Sequence, residues 1–179
     1  MSRTIQQYIS IHQLKSILDK ACGFLSEKMI EESNPLVVKR VGGEVIGICG
    51  VRRTELANTL YLYVKRQYRG RGYGKELARE VVRQARDCKI DGIVLLVRLN
   101  NKPAIHIYKI NGFKRLYPFK LSGAWCWRMF LPLSKKGYLI PLKLVAIDFV
   151  YYLKCIRGLE RVISHLTKHV KPLLRRCCL

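Results

Sequence analysis

The feature that most constrains this chain is a run of alternating glycines, Arg69-Gly70-Arg71-Gly72-Tyr73-Gly74. Before it, residues 59–64 alternate as a strand, with Leu60, Leu62 and Val64 on one face and Tyr61 and Tyr63 on the other. After it, Leu77, Val81, Val82 and Ala85 recur at helical spacing through residues 75–88, with charges opposite. Strand, glycine loop and helix N-terminus together form an anion site. The first helical N–H groups have no partner within the helix, and the helix dipole adds about half a positive charge there. Glycines let backbone amides approach a ligand closely, and Arg69, Arg71 and Lys75 add formal charge. The same residues also suit a basic turn whose glycines serve geometry alone. Two phosphate loops are excluded: there is no G-x-x-x-x-G-K-[ST], and Gly70, Gly72 and Gly74 do not make G-x-G-x-x-G.

The remaining elements follow from pattern. Residues 5–29 carry apolar residues at helical spacing, Ile11, Leu14, Ile17, Leu18 and Cys22 among them, which predicts a helix or helix pair. Ser33-Asn34-Pro35 breaks it. Strands are expected over 35–40 and 45–51, joined by Gly42-Gly43 as a hairpin. The continuous apolar run Ile93-Val94-Leu95-Leu96-Val97, within residues 90–99, predicts a strand buried on both faces. A helix over 101–110 tolerates Pro103 in its first turn and stops at Gly112. Short strands over 113–116 and 125–131 complete a mixed α/β arrangement of helices on a sheet.

A second constellation sits on that later helix. Asn101 stands where strand gives way to helix, and Tyr108 lies two turns along, on the same face as Asn101 and Ala104. A tyrosine hydroxyl at fixed depth on a helix flanking a phosphate loop can act as a general acid, or it can be an ordinary buried aromatic. The two motifs together resemble the GNAT superfamily of N-acetyltransferases. Arg69, Gly72 and Gly74 match its Q/R-x-x-G-x-G/A loop. Asn101, Ala104, Tyr108, Gly112 and Phe113 match its N-x-x-A-x-x-x-Y-x-x-x-G-F motif. The resemblance spans about residues 5–131 and is nearest, around Val97-Arg98, to the protein N-terminal acetyltransferases of the ribosomal-protein alanine type.

The resemblance implies a mixed, mainly antiparallel sheet flanked by helices over residues 1–132; residues 133–179 exceed that fold and read as a basic helical extension. It implies acetyl-CoA as cosubstrate, no metal, and direct attack of an amine on the thioester. Leu62, Tyr63 and Val64 would bond the pantetheine arm, with the Val64 amide polarising the carbonyl. The loop Arg69, Gly70, Arg71, Gly72, Tyr73, Gly74 and Lys75 would hold the pyrophosphate. Asn101 would contact the cofactor, and Tyr108 would protonate the departing thiolate. The related N-terminal acetyltransferases place a glutamate just before Val97-Arg98, where this chain has Leu96. The remaining bases are Tyr61, Tyr63, Glu55, His106 or a water. The acceptor is a small-molecule amine, a lysine or a protein N-terminus. The other class of function is a catalytically silent module of the same fold, recruited by its charge to an anionic membrane or nucleic acid.

Charge enters last. The 179 residues carry a formal +22, and residues 131–179 hold ten Lys or Arg against Asp148 and Glu160. In that tail Leu142, Val145, Phe149, Leu153 and Ile156 form one helical stripe. Leu159, Val162, Ile163, Leu166 and Val170 form a second. Such basic helices pack back onto the sheet, dimerise, or lie on an anionic membrane. Nucleic acid is disfavoured, because few aromatics interleave with the basic residues and no nucleic-acid motif is present. Residues 139–156 contain Pro141, Lys143, Asp148 and Lys154, which argues against a spanning helix. The start of the chain has no signal-peptide pattern, and its seven scattered cysteines show no zinc or disulfide spacing. These features predict reduced thiols and a cytoplasmic, peripherally membrane-associated protein, with Cys177 and Cys178 open to acylation and the oligomeric state open.

Overall fold

The computed structural model describes residues 25–54, 57–121 and 123–154. The predicted helical stretch before Leu25, Glu55, the second tail stripe and Cys177-Cys178 lie outside them. Two compact units meet at Gly137/Tyr138 in the chain.

The first unit is built on a six-stranded sheet in the order β1-β2-β3-β4-β6-β5. A short helix α1 (Glu27–Glu31), capped by Ser26 accepting the Met29 N–H, leads into β1 (Ser33–Val41). The expected Gly42-Gly43 turn joins β1 to β2 (Glu44–Arg53), with Val41 opposite Glu44. Strand β3 (Asn58–Val64) pairs antiparallel with β2. Helix α2 (Tyr73–Asp87) then crosses to β4 (Gly92–Arg98). Helix α3 (Lys102–Ile110) leads to β5 (Lys114–Leu121) and β6 (Ala124–Pro132), with β4 antiparallel to β6. This is the mixed, mainly antiparallel sheet expected.

Strand β5 runs five residues past the predicted end at Leu116. Tyr117-Pro118 reads as a breaker, but β5 is the sheet edge, where Pro118 forfeits no ladder bond. A register shift between Arg115 and Tyr117 marks the irregularity.

Two apolar layers sandwich the sheet. On one face Cys49, Leu60, Ile93, Leu95, Val97 and Met129 pack with Leu77, Val81 and Ala85 of α2 and with Ile105 and Tyr108 of α3. On the other, Leu36, Ile48 and Tyr61 pack with Leu25 and Ile30. Period-two alternation along β3 and β4 assigns each side chain its layer. The buried stripe of α2 is the predicted one, with Ala78 added. At the foot of β4, the Asp91 carbonyl accepts the Leu133 and Ser134 N–H groups at 2.9 and 3.1 Å.

The second unit contains α4 (Ile140–Lys154). It is less amphipathic than its sequence stripe suggests. Apolar residues surround it almost completely, broken by Lys143, Asp148 and the terminal Lys154.

Candidate active site

The central feature is an opening in the sheet. Strands β3 and β4 are parallel, and their ladder consists of Asn58↔Ile93 and Thr59↔Val94 alone. Beyond it β3 continues along β2 to Val64, and β4 continues along β6 to Arg98. The two strands therefore diverge for their C-terminal halves. The Lys65 N–H donates to the Ile46 carbonyl at 2.8 Å. Strand alternation then turns the N–H and C=O groups of Leu62 and Val64 toward the opening, and those of Tyr63 toward β2. Half-buried strand groups without a ladder partner call for another acceptor and donor. An extended ligand with amides of its own supplies both.

The N-terminus of α2 follows directly. Gly72 is its N-cap at φ +85°, a left-handed conformation that suits glycine, and no side chain caps the helix. The Lys75 and Glu76 N–H groups return to the Gly72 carbonyl, while those of Tyr73 and Gly74 have no partner among the described residues. Gly70 and Gly72 have open space around them. Arg71 and Lys75 are exposed, with the Arg71 guanidinium 5.7 Å from the Tyr68 ring. Arg69 is turned back instead: its Nε donates to the Val64 carbonyl at 2.9 Å, and it lies over the Tyr63 ring. Arg69 thus holds one wall of the opening as well as adding charge.

Sequence reading missed a clamp beneath this loop. Lys65 is 2% exposed, and its Nζ meets Glu44 Oε1 at 2.7 Å. The Tyr68 hydroxyl donates to Glu44 Oε2 at 2.9 Å, which raises the Tyr68 pKa. One carboxylate at the start of β2 therefore fixes both ends of the 3-10 turn that enters the glycine loop. No local pattern announces it, because its members are 21 and 24 residues from Glu44.

Helix α3 explains its motif residue by residue. Asn101 is the N-cap, and its Oδ1 accepts the Ala104 N–H at 3.3 Å, leaving its amide NH₂ exposed. At the other end, the Phe113 N–H bonds to the Tyr108 carbonyl and the Gly112 N–H to the Lys109 carbonyl, both at 3.0 Å. This is a Schellman cap with Gly112 at φ +90°. The apolar contact that accompanies such a cap is Phe113 against Tyr108, edge to face at 5.7 Å. The Tyr-x-x-x-Gly-Phe spacing is therefore the device that seats Tyr108. Replacing Gly112 by Ala should cost about 1–2 kcal/mol for the left-handed backbone. The added methyl also meets Leu131 Cδ1 at 3.2 Å. Chemical denaturation measures the loss.

Tyr108 is 7% exposed, and its hydroxyl makes no hydrogen bond among the described residues. Burial, with a smaller contribution from Cys49, raises its pKa well above that of ordinary tyrosine. It therefore holds its proton throughout the physiological range. Tyr108 shares a packed layer with Leu62, Val64 and Val97, which line the two sides of the opening.

The candidate bases separate. Tyr61 is buried, donates to the Ser33 hydroxyl at 2.9 Å, and has a raised pKa from burial. His106 is exposed on α3. Leu96 stands opposite Arg128 across β4 and β6. Among the described candidates the half-buried Tyr63 and solvent are left, and Glu55 lies outside the described residues. Among the described residues no group of three or more His, Cys, Asp or Glu could hold a metal.

Comparison with known proteins agrees with this geometry. The profile of the Acetyltransferase (GNAT) family matches residues 8–113. A mouse (Mus musculus) protein named Probable N-acetyltransferase family 8 member 5 is 35% identical over 86 residues, 48% of this chain. That stretch spans only 37% of the mouse protein. The ribosomal-protein-S18-alanine N-acetyltransferase from Escherichia coli superimposes with a TM-score of 0.57 at 19% identity, over 70% of this chain and 91% of that one. A Bacillus subtilis acetyltransferase in complex with CoA gives 0.59 at 15% identity, over 69% and 93%. Motif, fold and profile coincide, and the chain belongs to the GNAT family of acetyltransferases.

Proposed function

We propose that this protein transfers the acetyl group of acetyl-CoA to a primary amine. One observation carries the reading: β3 and β4 diverge just before an uncapped helix N-terminus, and the protonated Tyr108 packs in the same layer as Leu62, Val64 and Val97 of those two strands. A thioester cosubstrate supplies an acetyl group already activated for attack. The chain's residues suit such a ligand. Leu62 offers its backbone N–H and C=O to the amides of a pantetheine arm, while Arg69 occupies the Val64 carbonyl and leaves the Val64 N–H facing the opening. Gly70 and Gly72 clear the approach to the Tyr73 and Gly74 amides, where Arg71 and Lys75 offset phosphate charge. Asn101 offers its side-chain amide to the same ligand.

The Val64 N–H then polarises the carbonyl, as a fixed dipole aimed where negative charge develops. Tyr108 delivers its proton to the departing sulfur. Amines with pKa near 8 need little help from a base, so solvent or Tyr63 suffices where related enzymes use glutamate. Leu96 in that position is the one observation that favours a silent binding module instead. Incubation of the full chain with labelled acetyl-CoA and a panel of peptides, polyamines and small amines decides between them. Label on an amine supports the enzyme; no label on any acceptor supports the module.

The clamp makes a separate prediction. Glu44→Gln leaves the buried Lys65 ammonium facing a neutral amide and frees Tyr68. The KM for acetyl-CoA should rise about three- to tenfold, with kcat changed less than about twofold. Steady-state kinetics at saturating acceptor measures both.

A further inference from the structure

The opening between β3 and β4 also gives onto the sheet face away from Tyr108. The parallel ladder pairs Asn58 with Ile93 and Thr59 with Val94, so at the same offset Tyr63 stands level with Arg98 across the opening. Tyr63 belongs to the layer of Leu36, Ile48 and Tyr61. Strand alternation puts Arg98 on that face too, because Leu95 and Val97 pack on the other. The Arg69 guanidinium lies 6.0 Å from the Tyr63 ring centroid, on the β3 side. Arg98, on the β4 side, is exposed, and its side chain makes no hydrogen bond or ion pair among the described residues. Leu96, one step back on the same face, has Arg128 opposite it on β6. Residues 57–75 and 92–132, which hold the four strands β3 to β6 and the glycine loop, contain no Asp or Glu. An amine that enters here meets positive charge from both strands. That charge repels a polycation and favours the free amine, the form that attacks, over its ammonium. It attracts a carboxylate, whose two oxygens match the guanidinium fork.

We infer that the acceptor is an amine with a carboxylate a few bonds away, held on this face by Arg98 with Arg69 across the opening. A free amino acid has this chemistry, and so does a peptide whose first residue is acidic. The inference rests on the acetyl-transfer reading and names its acceptor. In the transfer the amine nitrogen bonds the acetyl carbon and the C–S bond breaks. The sulfur takes the Tyr108 proton, and the proton released by the amine passes to solvent, from which Tyr108 is reprotonated. Positive charge around the amine also lightens the work of the absent glutamate.

Acetyl transfer by the full chain to matched acceptors tests it. The pairs are leucine with leucinamide, and a peptide beginning with glutamate with one beginning with glutamine; spermidine is the polycation. In at least one pair the carboxylate member should be preferred about tenfold or more in kcat/KM, and spermidine should be the poorest acceptor. The pair with the larger preference identifies the source. Arg98→Gln should lower that preference about tenfold. Arg115→Gln, at an exposed arginine in register with Met129 on the opposite face, should keep it. Acetyl-CoA affinity of each variant reports whether the fold survives. Equal rates within both pairs, or a preference for spermidine, would overturn the inference and leave acetyl transfer standing. So would a preference that survives Arg98→Gln or falls equally with Arg115→Gln. No label on any acceptor would remove the inference together with the catalytic reading.

Discussion

Tyr108→Phe should lower kcat by about a hundredfold while acetyl-CoA affinity changes less than about twofold. The substitution removes one hydroxyl and keeps the ring, so the edge-to-face contact with Phe113 and the cap at Gly112 survive. No hydrogen bond to that hydroxyl exists among the described residues, so no buried partner is orphaned. A purely structural tyrosine would therefore give a stable protein with an unchanged rate. An acid gives a stable protein with a slow one. The pH dependence carries the same sign. Burial raises the Tyr108 pKa, so its protonated form persists to higher pH than that of a free tyrosine. The rate of the native enzyme should show no alkaline decline below about pH 10, the ordinary tyrosine value. A decline centred near pH 8 or 9 would take the acid role away from Tyr108.

Gly72→Asp should weaken acetyl-CoA binding about a hundredfold, equivalent to about 2.7 kcal/mol. Aspartate tolerates the φ of +85° at this N-cap better than most residues, at a stability cost of about 1 kcal/mol. Its carboxylate would stand at the Tyr73 and Gly74 amides and compete with an incoming phosphate for the same donors and the same dipole. Gly72→Asn carries the same backbone cost without the charge and should lose tenfold or less. Calorimetric titration of the pair separates charge from strain. Equal losses for the two variants would mean that the loop's geometry, rather than its anion affinity, was disturbed.

The fold was legible wherever the chain reports on itself locally. Alternation along 59–64, the stripe from Leu77 to Ala85 and the apolar run at Ile93–Val97 each specify an element and its buried face. The hairpin at Gly42-Gly43 was equally plain. What sequence pattern could not supply was edge status: only the strand order shows why β5 carries Pro118 without ending. The site divides the same way. Asn101, Tyr108, Gly112 and Phe113 are within one helix and its caps, so their spacing encodes their geometry. The Glu44–Lys65–Tyr68 clamp and the return of Arg69 onto Val64 are tertiary, and composition says nothing of them. Along α4 the periodicity overstated the polarity, because a few charges on a 15-residue apolar helix mimic a polar face, and the second stripe lies outside the described residues.

The proposed function requires that the opening between β3 and β4 bind acetyl-CoA. Isothermal titration of the full chain with acetyl-CoA tests it most directly. One saturable site, weakened by Gly72→Asp and indifferent to Tyr108→Phe, is the predicted result. No heat of binding at high micromolar cofactor, with the chain shown to be folded, would contradict it.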